Sequence, residues 1–274
     1  MHPTTPRPDL RIAVIGGGVM GETLMGAWKA AGVESITVSE PRPERAAELV
    51  ERLGVEAAAS VDAARDADVI VLAVKPHQIS EVIADIADAV RADAVLVSVA
   101  AGVTTAAMEE GLSGSTAVVR AMPNTPALIG QGMFGVSAGS DVGADQLSLV
   151  VDLLSAAGKV AVVDETRQNA VTAVSGSGPA YLFYLAEAMI DGGVAAGLDE
   201  ATAAELTQQT LIGATALLVA SDQGPAELRR QVTSPNGTTH AAITTFDEHG
   251  AGAGLRAGVA AAAARADELS KGDR

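Results

Sequence analysis

Arg11-Ile12-Ala13-Val14-Ile15-Gly16-Gly17-Gly18-Val19-Met20-Gly21 is a branched apolar run that breaks into glycines just before a helical pattern begins at Glu22. It reads as strand, tight turn and helix. Gly16, Gly18 and Gly21 fit G-x-G-x-x-G: the first glycine turns the chain, the second lets a pyrophosphate approach the backbone, and the third lets helix pack on strand. The unpaired N–H groups and the dipole at such a helix start favour phosphate. Glycine-rich turns also occur in flavin and S-adenosylmethionine folds and as plain turns, so context has to decide. The next apolar segment, Ile36-Thr37-Val38-Ser39, ends in Glu40, where a ribose-binding acid belongs.

Outward from this stretch the pattern alternates. Pro43 to Leu53 is charged on one side and apolar at Ala46, Leu49, Val50 and Leu53, the spacing of an amphipathic helix, and Gly54 ends it. Ala67 to Val74 is a nearly unbroken apolar run, as expected of a parallel strand covered on both faces. A helix from about Gln78 to Val90, a strand at Ala94 to Val99, a short helix after Thr104 and a strand at Ala117 to Ala121 continue the series. Such repetition predicts a doubly wound parallel sheet with ligands outside the carboxyl ends of its strands. From Asp164 onward, helical patterns follow one another: Gln168 to Val174, Pro179 to Ala196, Asp199 to Ala220, Pro225 to Val232, Thr238 to His249 and Gly254 to Leu269. The expected division is a disordered tail over 1–9, a dinucleotide-binding domain over 10–165 and an all-helical domain over 166–274. The helical part is rich in alanine and short of large side chains. It is expected to bury its apolar faces against a second copy.

Composition narrows the functions. The 274 residues carry a formal net charge of -16, which disfavours nucleic acid and anionic membranes as partners. Aromatics make up 2%, so base stacking is not expected. Hydrophobic residues make up 48%, yet no run approaches the ~18 uninterrupted apolar residues of a spanning helix. With no cysteine there is no disulfide and no thiolate metal site, His2, His77, His240 and His249 form no metal signature, and a cytoplasmic protein without a metal is expected.

The loops at the strand ends carry the remaining chemistry. Lys75, followed by Pro76, ends a buried strand on the ligand side; it suits a hydrogen bond to cofactor ribose or phosphate, and equally a solvated strand end. Asn124 lies between Pro123 and Pro126, which limit the backbone and could aim its amide at a nicotinamide pocket or simply form an Asn turn. Ser175-Gly176-Ser177-Gly178-Pro179 runs into a helix and suits an anion or close packing. Thr233-Ser234-Pro235-Asn236-Gly237-Thr238-Thr239-His240 also opens a helix. Successive N–H groups there would make a nest for a carboxylate, or an N-capping loop alone.

Taken together and in this order, Gly16 to Gly21, Ala73-Val74-Lys75-Pro76, Ala100-Ala101-Gly102, Met122-Pro123-Asn124-Thr125-Pro126, Ser175 to Tyr181 and Ser234 to Thr239 closely resemble the pyrroline-5-carboxylate reductases. The resemblance runs along nearly the whole chain. It implies an N-terminal Rossmann-type doubly wound parallel sheet followed by an all-helical C-terminal dimerisation domain, with rings of dimers in many members. It implies NADP(H) or NAD(H) as cofactor, with a cyclic imine and L-proline as small-molecule partners. By the resemblance, Ile15, Gly16, Gly17, Gly18, Val19, Met20, Gly21, Glu40, Arg42, Ala73, Val74, Lys75, Pro76, Ala101 and Asn124 line the dinucleotide. Ser177, Ser234, Pro235, Asn236, Gly237, Thr238 and Thr239 line the substrate, and Thr239 is the candidate for a hydrogen bond to the ring nitrogen. In the family the threonine loop faces a cofactor bound mainly by the partner subunit, and the resemblance therefore implies that Gln231 reaches that cofactor too.

Two departures stand out. The family loop usually reads Ser-Pro-Gly-Gly-Thr-Thr, and here Asn236 takes the place of the first glycine; asparagine is the side chain best suited to left-handed backbone, so the turn is expected to survive. Glu40 would accept the 2′-hydroxyl of NADH and repel a 2′-phosphate, whereas Arg42 and Arg45 nearby could offset that repulsion. A dehydrogenase of β-hydroxy acids, a reductase of another cyclic imine and a non-catalytic dinucleotide sensor are the alternatives. An alcohol dehydrogenase would usually need a base such as a lysine in the helical half, and beyond Lys159 the only lysine is Lys271.

Overall fold

The computed structural model describes residues 9–112 and 114–271. The tail expected over 1–9 lies, but for Asp9, outside the described residues. Two compact units divide the chain: one runs to Ser177 and resumes at Ala262, and the other is Gly178–Ala261.

The first unit holds β1 (Arg11–Ile15), α1 (Val19–Ala30), β2 (Ser35–Ser39), α2 (Pro43–Leu53), the short β3 (Glu56–Ala57), α3 (Ser60–Arg65), β4 (Val69–Leu72), α4 (Ile79–Ile86), β5 (Val95–Ser98), α5 (Thr105–Glu109) and β6 (Ala117–Met122). β7 (Gly132–Ala138), α6 (Ala144–Ser155), β8 (Gly158–Val162) and α7 (Gln168–Val171) follow. Among the described residues the sheet has the order β3-β2-β1-β4-β5-β6-β7-β8, and only the β6–β7 pairing is antiparallel. The chain moves outward from β1 to β3 and then crosses back to β4, so a topological switch point lies between β1 and β4.

Alternation along the strands explains why both faces are covered. Ile12 and Val14 of β1, Val69 and Val71 of β4 and Val95 and Val97 of β5 enter one core cluster with α1, α2 and α6. Ala13, Ile15, Ile70, Leu72 and Leu96 enter the other with α3, α4 and α5. Each of these valines, isoleucines and leucines contributes about 1.5–3 kcal/mol on burial. In α1 the buried positions Gly21, Leu24, Met25 and Trp28 follow the helical repeat, and the Trp28 indole N–H donates to Leu153 O at 2.8 Å. Arg120 of β6 is buried and pairs with Glu165 at 3.3 Å; Glu165 also accepts from Thr105 N at 2.8 Å.

α7 widens at Thr172–Gly176 into one π-helical turn, closed by Ser177 N–H donating to Thr172 O at 2.8 Å. The second unit contains α8 (Gly178–Ala195), α9 (Glu200–Ala220), α10 (Pro225–Gln231) and α11 (Thr238–Glu248), and α12 (Ala251–Ser270) begins in it. α8 and α9 approach closely because Gly193 lacks a side chain: a Cβ there would lie 3.2 Å from Ala203 Cβ. Within 178–261 only Ala203 and Thr207 are buried, while Phe183, Tyr184, Ile212 and Val219 are exposed. The C-terminal turns of α12 belong to the first unit, where Asn169 donates to Asp267 at 3.2 Å and Leu269 lies 3.6 Å from a Cβ built at Gly102.

Candidate functional site

The glycine-rich turn sits at the switch point. Gly16 has φ +111°, and a Cβ on it would lie 2.7 Å from Ala73 O, so the ends of β1 and β4 touch through a residue that only glycine suits. A Cβ on Gly21 would lie 2.1 Å from Gly16 O, which is the helix–strand packing expected of the third glycine. Gly18 differs: nothing lies within 4 Å of a Cβ there. It is the N-cap of α1, has no side-chain cap, and leaves the first N–H groups of the helix without an intrahelical partner. That open cradle at a helix start fits a pyrophosphate.

Gly17 is held on both sides. Its N–H donates to Glu40 Oε2 at 3.0 Å, and its carbonyl accepts from Arg45 Nε at 3.0 Å. Gly16 N–H donates to Ser39 O at 2.8 Å, which ties the turn to the end of β2 as well. Glu40 Oε1 accepts from Arg42 Nε at 2.7 Å and from Arg42 N at 3.1 Å. The Arg42 side-chain bond, joined by those backbone N–H groups, outweighs burial and holds the Glu40 carboxyl below its ordinary value. Arg45 also bonds Glu22 and Glu48, and Arg52 bonds Glu22 and Glu48 in turn. The sequence offered Arg45 only as a counter-charge to a 2′-phosphate, not as a partner of the Gly17 carbonyl. Its signal was its place in the first turn of α2, a few residues after Glu40.

Of the other expected cofactor residues, Ala73, Val74, Lys75 and Pro76 follow β4 in the same unit. The Lys75 backbone exchanges bonds with Gln78 while its side chain is exposed. Ala101 is exposed at the end of β5. Asn124 is tied to the backbone at both ends of its amide: Nδ2 donates to Ser175 O at 3.0 Å and Oδ1 accepts from Met133 N at 2.8 Å. It pins the π-helical turn that leads into Ser177. Its geometry is that of a positioning residue rather than an amide aimed at an open pocket.

The threonine loop lies in the second unit. Asn236 has φ +60°, the one left-handed residue other than glycine among those described. Gly237 N–H donates to Ser234 O at 3.0 Å, closing a turn with Pro235 and Asn236 at its centre, the residue pattern of a type II turn. This narrows the expected nest of successive N–H groups: that of Gly237 is taken inside the turn. The donors left for a carboxylate are those of Thr238 and Thr239, at the start of α11, whose N-cap Gly237 supplies no side chain. Gln231 is exposed and donates to Gln223 Oε1 at 2.6 Å.

Residues 165–269 match the family described as pyrroline-5-carboxylate reductase dimerisation, and residues 11–102 match that described as NADP oxidoreductase, coenzyme F420-dependent. The chain is 44% identical to a pyrroline-5-carboxylate reductase of Pseudomonas aeruginosa over 95% of this chain and 97% of that protein. Its fold matches a solved pyrroline-5-carboxylate reductase from Coxiella burnetii with a TM-score of 0.90 and 36% identity, covering 95% and 98% of the two chains. A Plasmodium falciparum pyrroline carboxylate reductase, solved with NADP bound, matches with a TM-score of 0.86 and 26% identity over 97% and 100%.

Proposed function

The chain belongs to the pyrroline-5-carboxylate reductase family, and from that premise we infer that its two glycine-led helix starts serve one reaction, the last step of proline biosynthesis. It is an NAD(P)H-dependent oxidoreductase that reduces the C=N bond of 1-pyrroline-5-carboxylate to give L-proline. When bound, the reduced nicotinamide supplies the hydride that the imine carbon receives. The cradle at Gly18 to Met20 receives the pyrophosphate, Glu40 the adenosine ribose, and the loops after β4 and β5 flank the nicotinamide half. Thr238 and Thr239 hold the substrate carboxylate through their N–H groups, and the Thr239 hydroxyl bonds the ring nitrogen. A protonated imine loses positive charge as hydride arrives, so placement matters more than an added acid or base. The observation that supports this reading is the uncapped start of α11 after the Ser234–Gly237 turn, in a helix with no lysine, where free N–H groups suit a carboxylate.

The reading extends to assembly. A unit that buries only Ala203 and Thr207 of its own cannot stand alone, which supports a homodimer joined through α8 and α9, with the threonine loop of one subunit serving the dinucleotide of its partner. Rings built from such dimers are the next level of the same reading, and the cytoplasm is its compartment. No helix among the described residues is long and apolar enough to cross a membrane.

The experiment is a comparison of the parent with Thr239→Ala in initial rates of reduced-nicotinamide loss with 1-pyrroline-5-carboxylate. Turnover is expected to fall by about 10-fold or more and proline inhibition to weaken, on the scale of one lost hydrogen bond to a charged group. Unchanged kinetics would remove Thr239 from the site.

A further inference from the structure

We propose that Glu40, clamped to Gly17 and Arg42, makes this enzyme select the dinucleotide with a free 2′-hydroxyl, NADH, over its 2′-phosphorylated counterpart. The inference rests on the reductase reading and adds the choice of reductant to it. Two arginines near Glu40 could in principle serve a 2′-phosphate, and the structure separates them. Arg45 is committed: its side chain is 18% exposed, its Nε holds Gly17 O at 3.0 Å, and its other nitrogens bond Glu22 and Glu48. Turning it toward a phosphate would release the carbonyl of the pyrophosphate turn and leave Glu22 and Glu48 to Arg52 alone. Arg42 is exposed, but its Nε and its backbone N–H both serve Glu40 Oε1.

Charge balance decides the matter. Glu40 pairs with Arg42, and Glu22 and Glu48 with Arg45 and Arg52, so three carboxylates answer three guanidiniums and no positive charge is in excess for a phosphate dianion. The Glu40 side chain is 5% exposed, so an anion placed against it meets a carboxylate that solvent barely screens. A ribose hydroxyl meets the opposite situation. Oε2 accepts one bond, from Gly17 N–H, and keeps a lone pair for a donor. Gly17 is part of the device, since a Cβ there would lie 3.0 Å from Glu40 Oε2 and 2.6 Å from Leu49 Cδ1.

The test is equilibrium binding of NADH and NADPH to the full-length enzyme, without imine, by calorimetry or nicotinamide fluorescence. NADH is expected to bind about 10-fold tighter or more. Glu40→Gln, whose amide oxygen can keep the Gly17 N–H bond, is expected to shrink that ratio at least about 5-fold by strengthening NADPH and weakening NADH. Glu40→Ser is expected to shift the ratio in the same direction and serves if the glutamine variant fails to fold, as judged by melting. Equal or tighter NADPH binding by the parent would overturn the proposal while leaving the reductase intact, and so would a ratio unmoved in the folded variants. Binding of neither dinucleotide would overturn both the proposal and the reading beneath it.

Discussion

Replacing Asn236 with valine tests whether the backbone of the threonine loop, rather than the asparagine amide, shapes the carboxylate nest. Asn236 sits at φ +60° in the turn closed by Gly237 N–H on Ser234 O at 3.0 Å. Left-handed backbone costs an ordinary L residue roughly 1–2 kcal/mol, asparagine less, and a β-branched side chain more. Relative to asparagine, valine should destabilise the turn by about 1.4 kcal/mol, a factor of ~10 in the ratio of loops that align the Thr238 and Thr239 N–H groups to loops that do not. The apparent affinity for the imine and the inhibition by L-proline should weaken, by up to about that factor, at saturating dinucleotide. Asn236→Gly, free of the left-handed cost, should restore the parent values. Steady-state kinetics with proline as competitor read both variants. Parent-like affinity in the valine variant would refute the argument, and a glycine variant as weak as valine would assign the role to the amide instead.

Further expectations follow the same logic. Gly21→Ala should lower the melting temperature, because its Cβ would meet Gly16 O at 2.1 Å, whereas Gly18→Ala should melt like the parent yet bind either dinucleotide at least about 10-fold more weakly by filling the cradle; normal binding by Gly18→Ala would move the pyrophosphate elsewhere. Glu165→Ala should cost about 2–4 kcal/mol in urea unfolding at fixed protein concentration, since it leaves buried Arg120 uncompensated; a loss under about 1 kcal/mol would show that Arg120 finds another partner. Because the Glu40 carboxyl is held below its ordinary 4.5, its contribution to stability is fully present above that value and is lost as pH falls through the lower folded value. The stability gap between the parent and Glu40→Gln should therefore be constant near neutrality and close in acid; a gap that widened on acidification would reverse the sign of the argument.

Much of this was legible in the sequence because the physics was local. The β1 turn announces itself through branched residues that end in glycines, and β4 and β5 through apolar runs that only a doubly covered strand can bury. β7 and β8 were not foreseen. β7 contains Gly132 and Gly135; a Cβ at Gly135 would lie 2.4 Å from Val171 Cγ1 and one at Gly132 2.8 Å from Ala157 O. Those glycines serve packing between segments distant in sequence, which no local pattern reports. The same holds for the Gly17 clamp: Glu40 was marked by its spacing from the turn, while the use of Arg45 on the Gly17 carbonyl depends on how α2 lies against α1. At the threonine loop, Asn236 was read correctly as a left-handed residue, but only the closed turn reveals that the Gly237 N–H is already taken.

The return of α12 to the first unit sets an order of events during synthesis. Ala266 is buried there, Asp267 accepts from Asn169, and Leu269 backs the Gly102 loop. A ribosome delivers the sheet and its glycine turn well before these residues emerge, so the nascent nucleotide-binding unit waits, incomplete, while the whole helical stretch is translated. Cutting the chain after Val163 would therefore yield a sheet with an unbacked β5 loop rather than an independent half. The order of the chain keeps the first unit from being finished before the whole of the second has been made.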